Sequence, residues 1–266
     1  TAGDLIWVTN GTYSSDGAAA PGHTLTNRVC LTNGITVSSV NGPSVTFIQG
    51  AGPIGSVNCR RGAYVGTGSV LIGFTVTGGH TDDESAPDED RSGGGLFVDG
   101  GVVSNCLVMR SAADMNGGGI YINGAGYVYN CVMQTCTGVY GGALYFDGGG
   151  FASDCVASSN AASAGGGGFY FLYGGRAEDA ILTGNSTDGG GGLYFDGGGY
   201  ADRCTVSGHS NNWGGGVVFI GDGGVLTNSF VHSNISGWGG GIYLYQGGSA
   251  VDCTLWAHLR FIDLPT

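Results

Sequence analysis

The sequence contains no lysine. Its basic side chains are eight arginines, against 20 aspartate and glutamate residues, and the formal net charge is −12. Because nucleic-acid phosphates require a basic surface, this balance argues against a nucleic-acid partner. The sequence also lacks metal-binding spacings such as Cys-x-x-Cys and has no apolar run long enough to cross a bilayer, so no membrane span is expected.

Glycine, in contrast, is abundant, with 58 residues, and it is arranged periodically. There is no collagen triplet and 41% of residues are hydrophobic, so the glycines indicate turns and not disorder. Related stretches, each opening with Gly-Gly-Gly or Gly-Gly-Ala, begin at residues 93, 117, 141, 166, 190, 214 and 239. A period this regular, 24 or 25 residues, is typical of a solenoid, in which each coil packs on its neighbours.

Each repeat predicts three short strands. In the first strand, residues such as Leu193 and Phe195 alternate with outward residues such as Tyr194, a period of two that places the first pair inside. A glycine-rich turn leads to a second strand and then to a polar position, which is usually Asn or Asp. Because these residues tolerate the left-handed backbone conformation, the position is predicted to be a sharp corner. The corner residues are Asn105, Asn130, Asp154, Asp179, Arg203, Asn228 and Asp252.

The third strand begins at a position that is usually cysteine. Five of the eight cysteines occupy it, and Ala180 and Ser229 take the same place, so it is interpreted as a site for a small side chain. These five are Cys106, Cys131, Cys155, Cys204 and Cys253. Cys30, Cys59 and Cys136 lie elsewhere, and a Cys30–Cys59 disulfide is left open.

Three strands per coil with glycine and Asn/Asp corners resemble the right-handed parallel β-helix of the pectate-lyase-like superfamily. Two sequence elements, Gly-Gly-Gly followed by a hydrophobic residue and Asn-Cys-x-Val, are also similar to the repeats in the passengers of chlamydial polymorphic outer-membrane proteins. The resemblance covers residues 28 to 255 and implies an all-β, single-stranded β-helix at the cell surface or secreted. It implies little about activity, because this fold serves lyases, hydrolases, adhesins and tailspikes.

The whole chain, 1–266, is expected to be one β-helix domain. Residues 1–68 form irregular first coils and residues 69–254 form regular coils, interrupted by an acidic loop at 80–92. Residues 255–266 abandon the glycine pattern and are either a natural cap or a foreign extension. The oligomeric state is left open.

The acidic loop has two interpretations. Charge runs usually extend into solvent, which favours a solvated loop. Alternatively, its carboxylates bind Ca²⁺, which takes several oxygen ligands from flexible loops. The candidate ligands are Asp82, Asp83, Glu84 and Asp88. No other cofactor is expected.

A pair of carboxylates is the candidate for catalysis. Glu178 and Asp202 hold equivalent places in adjacent coils, so their carboxyl groups are expected about 5 Å apart, as in retaining glycosidases. Such proximity raises the pKa of one of them, and Arg176 is placed to hold the other ionised or to bind a uronate. Asp147 and Asp196, two coils apart, flank the same groove, although aspartate before a glycine turn also has a structural explanation.

Aromatic residues are the candidates for binding sugars. Tyr121, Tyr145, Tyr170 and Tyr194 form a ladder that is predicted to face outward, and Tyr127, Phe151 and Tyr200 are outward on the second strand. Aromatic rings stack on sugars, but cross-strand aromatic pairs also stabilise sheets without any ligand.

These residues predict an extracellular protein that acts on polysaccharide, as a glycoside hydrolase. One alternative is a non-catalytic surface or adhesin-type passenger. Another is a polysaccharide lyase. Resemblance to the lyases implies a Lys or Arg base, and this chain has no lysine and only Arg176 and Arg203 near its centre. The Arg-x-Lys motif of the related polygalacturonase-like hydrolases is missing. Ice or mineral binding is disfavoured, since the ladder is not a regular threonine array. His209 and His232 are expected to cap a corner shared with Asn160, Asn185 and Asn234.

Overall fold

A computed structural model describes residues 2–260, and this part of the chain consists of strands, turns and bends without a helix. It therefore holds no helix long and apolar enough to cross a membrane. The chain winds into three sheets of ten strands each, which confirms the expected right-handed parallel β-helix. Every neighbouring pair in these sheets is parallel, except the antiparallel pair of Ala18–Ala19 with Thr26–Leu31.

Sheet 1 carries the first strand of each coil. Its strands are Ala18–Ala19, Thr26–Leu31, Arg61–Gly66, Leu96–Asp99, Ile120–Asn123, Leu144–Asp147, Phe169–Leu172, Leu193–Asp196, Val217–Ile220 and Ile242–Leu244. Sheet 2 follows the glycine-rich turn. Its strands are Leu5–Val8, Thr36–Ser39, Val70–Ile72, Val102–Ser104, Tyr127–Tyr129, Phe151–Ser153, Arg176–Glu178, Tyr200–Asp202, Val225–Thr227 and Ser249–Val251.

Sheet 3 completes each coil. Its strands are Gly11–Tyr13, Thr46–Gln49, Thr75–Thr77, Leu107–Met109, Val132–Gln134, Val156–Ser158, Ile181–Thr183, Thr205–Ser207, Phe230–His232 and Thr254–Trp256. Two smaller sheets lie between sheet 3 and the next sheet 1 strand. One pairs Thr137–Tyr140 with Ala161–Gly165, and the other joins Ser210–Trp213, Ile235–Trp238 and Leu259–Arg260. Residues 255–260, expected to be part of a cap or a foreign extension, thus continue the coil as strands. Residues 261–266 of that segment lie outside the described part.

The core follows from the alternation in each strand. Phe146, Phe171, Phe195 and Phe219 occupy the same inward position of sheet 1 in successive coils and are buried. Their rings stack with centroids 4.6 to 4.7 Å apart and planes within 6 to 8°. This spacing matches the distance between neighbouring strands, so a repeat of identical side chains packs without gaps.

The glycine triplets allow close backbone approach at the entry to sheet 1. Gly117, the first residue of one triplet, has φ +62°, and the second, Gly118, faces the next coil. A Cβ atom on Gly118 would lie 2.1 Å from the carbonyl oxygen of Thr137. No larger residue fits there, which explains why the triplet recurs once per coil.

The polar corner position adopts the left-handed conformation, as predicted. Its φ angles lie between 48° and 54° from Asn105 to Asp252. The cysteine that follows is buried in every coil but the last, where Cys253 is partly exposed, and its thiol donates to the carbonyl oxygen two residues earlier, as for Cys131 to Tyr129 at 3.2 Å. Ser229 reproduces this bond to Thr227 at 2.7 Å, whereas Ala180 fills the same position without a donor, so the position selects a small side chain. All eight cysteines are free, and the Cys30–Cys59 disulfide does not form.

The third-strand corner contains a buried ladder of Asn and His side chains. Asn160, Asn185, His209 and Asn234 each accept from the main-chain N–H of the coil before and donate to a carbonyl oxygen of that coil. His209 therefore acts as the capping residue that was predicted. His232 does not, because it pairs in register with Ser207 on sheet 3 and its ring contacts Phe230.

The acidic loop is attached to the body and not simply solvated. The buried Asp90 carboxylate accepts from His23 at 2.8 Å, from the Thr24 hydroxyl and main-chain N–H, each at 2.7 Å, and from the Leu25 main-chain N–H at 3.3 Å. Arg61, fully buried, donates to the Glu89 and Ser92 carbonyl oxygens at the end of the loop. The loop thereby fastens the N-terminal segment to sheet 1.

Candidate functional site

An acid–arginine cluster lies on the outer face of sheet 2. Glu178 and Asp202 are register partners on adjacent strands, as predicted. Arg176 pairs with Glu178 on its own strand. Arg203, at the left-handed corner, joins Glu178 at 2.9 Å, Asp179 at 2.7 Å and Asp202. Sequence reasoning assigned Arg203 to the corner alone and missed that it bridges three carboxylates.

Asp202 is committed to several partners. Its side chain is almost fully buried, and it accepts from the Thr227 hydroxyl and the Asn228 amide, each at 2.7 Å. Those two hydrogen bonds, followed by the charges of Arg203 and Arg176, lower the pKa of Asp202, although burial opposes them. Asp202 is therefore ionised, and within the expected acid–base pair it could serve only as the ionised member.

Aromatic side chains continue the cluster along sheet 2. Tyr127, Phe151, Arg176 and Tyr200 stand at one register position of consecutive strands. The Arg176 guanidinium lies 4.8 Å from the centroid of the Tyr200 ring, within the range of a cation–π contact. Tyr127 is the most exposed of the three rings, at 41%. This row and the acid–arginine cluster together form the sheet 2 surface.

The tyrosine ladder of sheet 1 points out of the β-helix core, as predicted, but it is covered by other segments and is not exposed to solvent. Tyr121, Tyr145 and Tyr170 are only 4 to 6% exposed, and Tyr194 is partly buried. Their rings stack at 4.9 to 5.4 Å with planes within 5 to 11°. Tyr140, from the strand that precedes sheet 1, packs against Tyr170 at 5.0 Å and helps to cover it. Most of these ring faces contact one another.

Asp147 and Asp196 serve this ladder. They are two strands apart with Leu172 between them, as predicted. Each accepts a hydrogen bond from the tyrosine hydroxyl of the preceding coil: Tyr121 to Asp147, and Tyr170 to Asp196 at 2.6 Å. Tyr64 and Asp99 repeat the arrangement at 2.6 Å. These contacts give both carboxylates a structural role.

A cleft of about 450 Å³ opens on sheet 1 where the ladder is interrupted. Val218 holds the ladder position between Tyr194 and Tyr243, and Ile220 replaces the aspartate. The missing ring leaves a gap two strands wide, roughly 10 Å. The cleft is lined by Ala164, Asp188, Gly189, Tyr194, Trp213, Val218, Ile220, Tyr243 and Tyr245.

The walls of this aromatic cleft are accessible. Trp213 is 49% exposed and Tyr245 60% exposed, whereas Val218 forms a buried floor. Trp238 supports the cleft from the next coil by stacking on Trp213 at 5.7 Å with planes 11° apart. Asp188, exposed, places a carboxylate in the lining. The sequence contained a signal for this site, since Val218 is the one residue without an aromatic ring at the ladder position between Phe97 and Tyr243.

The proposed calcium ligands are dispersed. Asp82 contacts the Cys59 thiol at 3.2 Å, Asp83 caps Ser85 and Asp88 pairs with Arg91. Throughout residues 2–260, no three His, Cys, Asp or Glu side chains come together as a metal ligand set. The acidic loop thus offers single carboxylates, and Glu84 belongs to no group of three such ligands in the described residues.

The stacked sheets and the two surfaces define the protein as a right-handed parallel β-helix with an aromatic cleft and an acid–arginine cluster on different faces. No protein-family model matches the chain, and no curated protein matches it.

Proposed function

We propose that the protein is an extracellular polysaccharide-binding β-helix and that the aromatic cleft holds a sugar ring. The observation that carries the proposal is the missing ladder residue at Val218, flanked by Tyr194 and Tyr243. Within the ladder each ring occupies about 5 Å. The gap of roughly 10 Å therefore accepts one ring of similar thickness between two aromatic faces.

A pyranose fits the chemistry of the cleft. Its C–H faces are apolar and suit the Tyr194, Trp213 and Tyr243 rings, whereas its hydroxyl groups need polar partners at the edge. The Asp188 carboxylate and the Tyr245 hydroxyl are available for that purpose. An extended glycan entering the cleft would have the rest of its length in solvent, since the cleft is open to the surface.

The cleft can be tested by filling it. We expect Val218→Tyr to restore the ladder ring, keep the fold and abolish glycan binding, and Trp213→Ala to weaken binding about tenfold or more. Binding would be measured on a panel of oligosaccharides by calorimetry. Trp256→Ala, which removes an exposed ring from sheet 3, outside both surfaces, is the matched control. Glycan binding that persists in Val218→Tyr, or no binding by the wild type to any glycan, contradicts the proposal.

Cleavage of glycosidic bonds is the second candidate, favoured by the adjacency of Glu178 and Asp202. In a retaining mechanism the ionised Asp202 would attack the anomeric carbon and Glu178 would protonate the leaving oxygen. Both carboxylates are already bound by arginine, and Asp202 by Thr227 and Asn228 as well, which ranks cleavage below binding. An elimination reaction has weaker support, because each central arginine is held by carboxylates.

Release of reducing ends from a polysaccharide panel separates the two candidates. If cleavage occurs, Glu178→Gln and Asp202→Asn should each lower the rate at least a hundredfold, and Asp154→Asn, at a corner outside the cluster, should leave it unchanged. Release that survives both substitutions removes this site. No release from any glycan leaves binding as the function.

A further inference from the structure

Two arginines converge in a pocket at the N-terminal end of the β-helix, far along the chain from both surfaces described above. Arg28 and Arg60 line a pocket of about 440 Å³. The other lining residues are Ser14, Ser15, Asp16, Gly17, Thr26, Ala51 and Asn58. In a chain of net charge −12, a pocket with two guanidinium groups is unusual and needs an explanation.

Neither guanidinium is neutralised by an ion pair. Within the described part of the chain, carboxylates pair with Arg91, Arg176 and Arg203 but not with Arg28 or Arg60. Arg28 donates instead to the main-chain carbonyl oxygens of Gln49, at 2.8 Å, and Asp16. Arg60 donates to the carbonyl oxygen of Cys59 at 2.7 Å. These bonds orient the side chains and leave both charges in place.

The two positive charges act on each other. Burial first, and then the charge of Arg60, lower the pKa of Arg28, while the Asp16 carboxylate has a smaller and opposite effect. A bound anion would relieve this repulsion. The hydroxyl groups of Ser14, Ser15 and Thr26 and the amide of Asn58 provide further donors around the same space.

We propose that this pocket binds an oxyanion, a phosphate or sulfate group, between Arg28 and Arg60. Guanidinium groups match the oxygens of such groups in pairs, and hydroxyl donors complete their coordination. The group is either a free ion or an ester carried on a polysaccharide. The proposal is independent of glycan binding in the aromatic cleft.

The first experiment titrates inorganic phosphate and inorganic sulfate into the protein at low ionic strength by calorimetry, with chloride as the reference ion. We expect saturable binding of at least one oxyanion and a loss of affinity of about tenfold or more in Arg60→Gln and in Arg28→Gln. Arg60→Gln is the safer variant, because Arg28 also joins two segments. Arg110→Asn is the matched control, since it removes an exposed arginine outside the pocket and keeps a side chain that tolerates the left-handed corner at φ 52°.

Unchanged affinity in Arg110→Asn supports the pocket. Equal losses in Arg110→Asn and Arg60→Gln show non-specific charge binding and overturn the proposal, as does the absence of saturable binding by the wild type.

A second arm compares dextran sulfate with unmodified dextran and inorganic sulfate. Tighter binding of dextran sulfate, weakened by Arg60→Gln and kept in Val218→Tyr, identifies an ester on a polymer as the source. Equal binding per sulfate identifies the free ion.

Discussion

His209 takes the place of an asparagine in the buried corner ladder, and both of its ring nitrogens are hydrogen-bonded. Its Nε2 faces the Leu182 carbonyl oxygen at 3.2 Å and carries the proton of the neutral ring, while Nδ1 accepts from the Asn185 main-chain N–H at 3.0 Å and lies 3.1 Å from the carbonyl oxygen of the same residue. An imidazolium would lose the bond from the Asn185 N–H, because it has no acceptor nitrogen. The neutral ring is therefore part of the native structure.

A pH dependence follows from this histidine. Burial lowers the pKa of His209 to about 4, against about 6.5 in an unfolded chain. Between these values the unfolded state binds the proton more strongly, so the free energy of unfolding falls as pH decreases from 6.5 towards 4, by about 3 kcal/mol in all. Urea unfolding at pH 7.5, 5.5 and 4.5 measures the loss.

The matched variant is His209→Asn, which installs the residue used by the neighbouring coils at Asn185 and Asn234. It should fold and lose that part of the pH dependence. Between pH 7.5 and pH 5.5 the free energy of unfolding of the wild type should fall by about 1 kcal/mol more than that of the variant. Carboxylates titrate in both proteins and cancel in the comparison. Identical pH profiles for the two proteins would show that His209 is protonated without penalty.

At the scale of elements, the tyrosine ladder explains how sheet 1 is stabilised on its outer side. The Tyr170 hydroxyl donates to the Asp196 carboxylate in the next coil. The Tyr145 hydroxyl has no such acceptor, because Leu172 holds the position of the aspartate in the coil that follows it. Tyr145 is nevertheless buried between two stacked rings. The ladder thus contains the same residue with and without a charged acceptor.

This contrast predicts unequal costs for the same substitution. Tyr170→Phe should lower the free energy of unfolding by about 1.5 to 3 kcal/mol, because it removes a hydrogen bond to a charged group. Tyr145→Phe should cost about 0.5 kcal/mol or less and serves as the control, since the ring stack is kept. Chemical denaturation of both variants measures the difference, and equal losses would mean that the Tyr–Asp bond contributes nothing.

The elements were largely predictable from sequence, and the covering of their surfaces was not. Period, inward residues and the Asn/Asp corner follow from local geometry. The burial of Tyr121, Tyr145 and Tyr170 depends on segments such as Thr137–Tyr140, which carry no repeat pattern. The bridging role of Arg203 depends equally on a side-chain direction set by the left-handed corner. The adjacency of Glu178 and Asp202 was predictable, because register follows from the period alone.

For the whole molecule, stacking in one dimension means that each coil is stabilised chiefly by its two neighbours. Phe171 lies inside the aromatic core stack, between Phe146 and Phe195. A cavity there weakens the contact between the two halves of the solenoid. The four tryptophans, Trp7, Trp213, Trp238 and Trp256, lie towards the ends and report on those regions separately from the middle.

Phe171→Ala should therefore cost about 3 to 5 kcal/mol and also reduce cooperativity. We expect tryptophan fluorescence and far-ultraviolet circular dichroism to give separate unfolding transitions in this variant. Thr183→Ala, an outward residue of the same coil, should stay within about 0.5 kcal/mol of the wild type with coincident transitions. Coincident transitions in Phe171→Ala as well would show that the halves remain coupled through sheets 2 and 3.

The in-register stacking also has a consequence for inheritance. Because successive coils superpose residue for residue, duplication or loss of a DNA segment encoding 24 or 25 amino acids changes the length of the rod by about 4.8 Å without disturbing any other layer. Mutations of this kind would create or erase an aromatic slot like that at Val218 in one event. The architecture thus allows new recognition sites to arise by copying whole layers, before any single residue is refined.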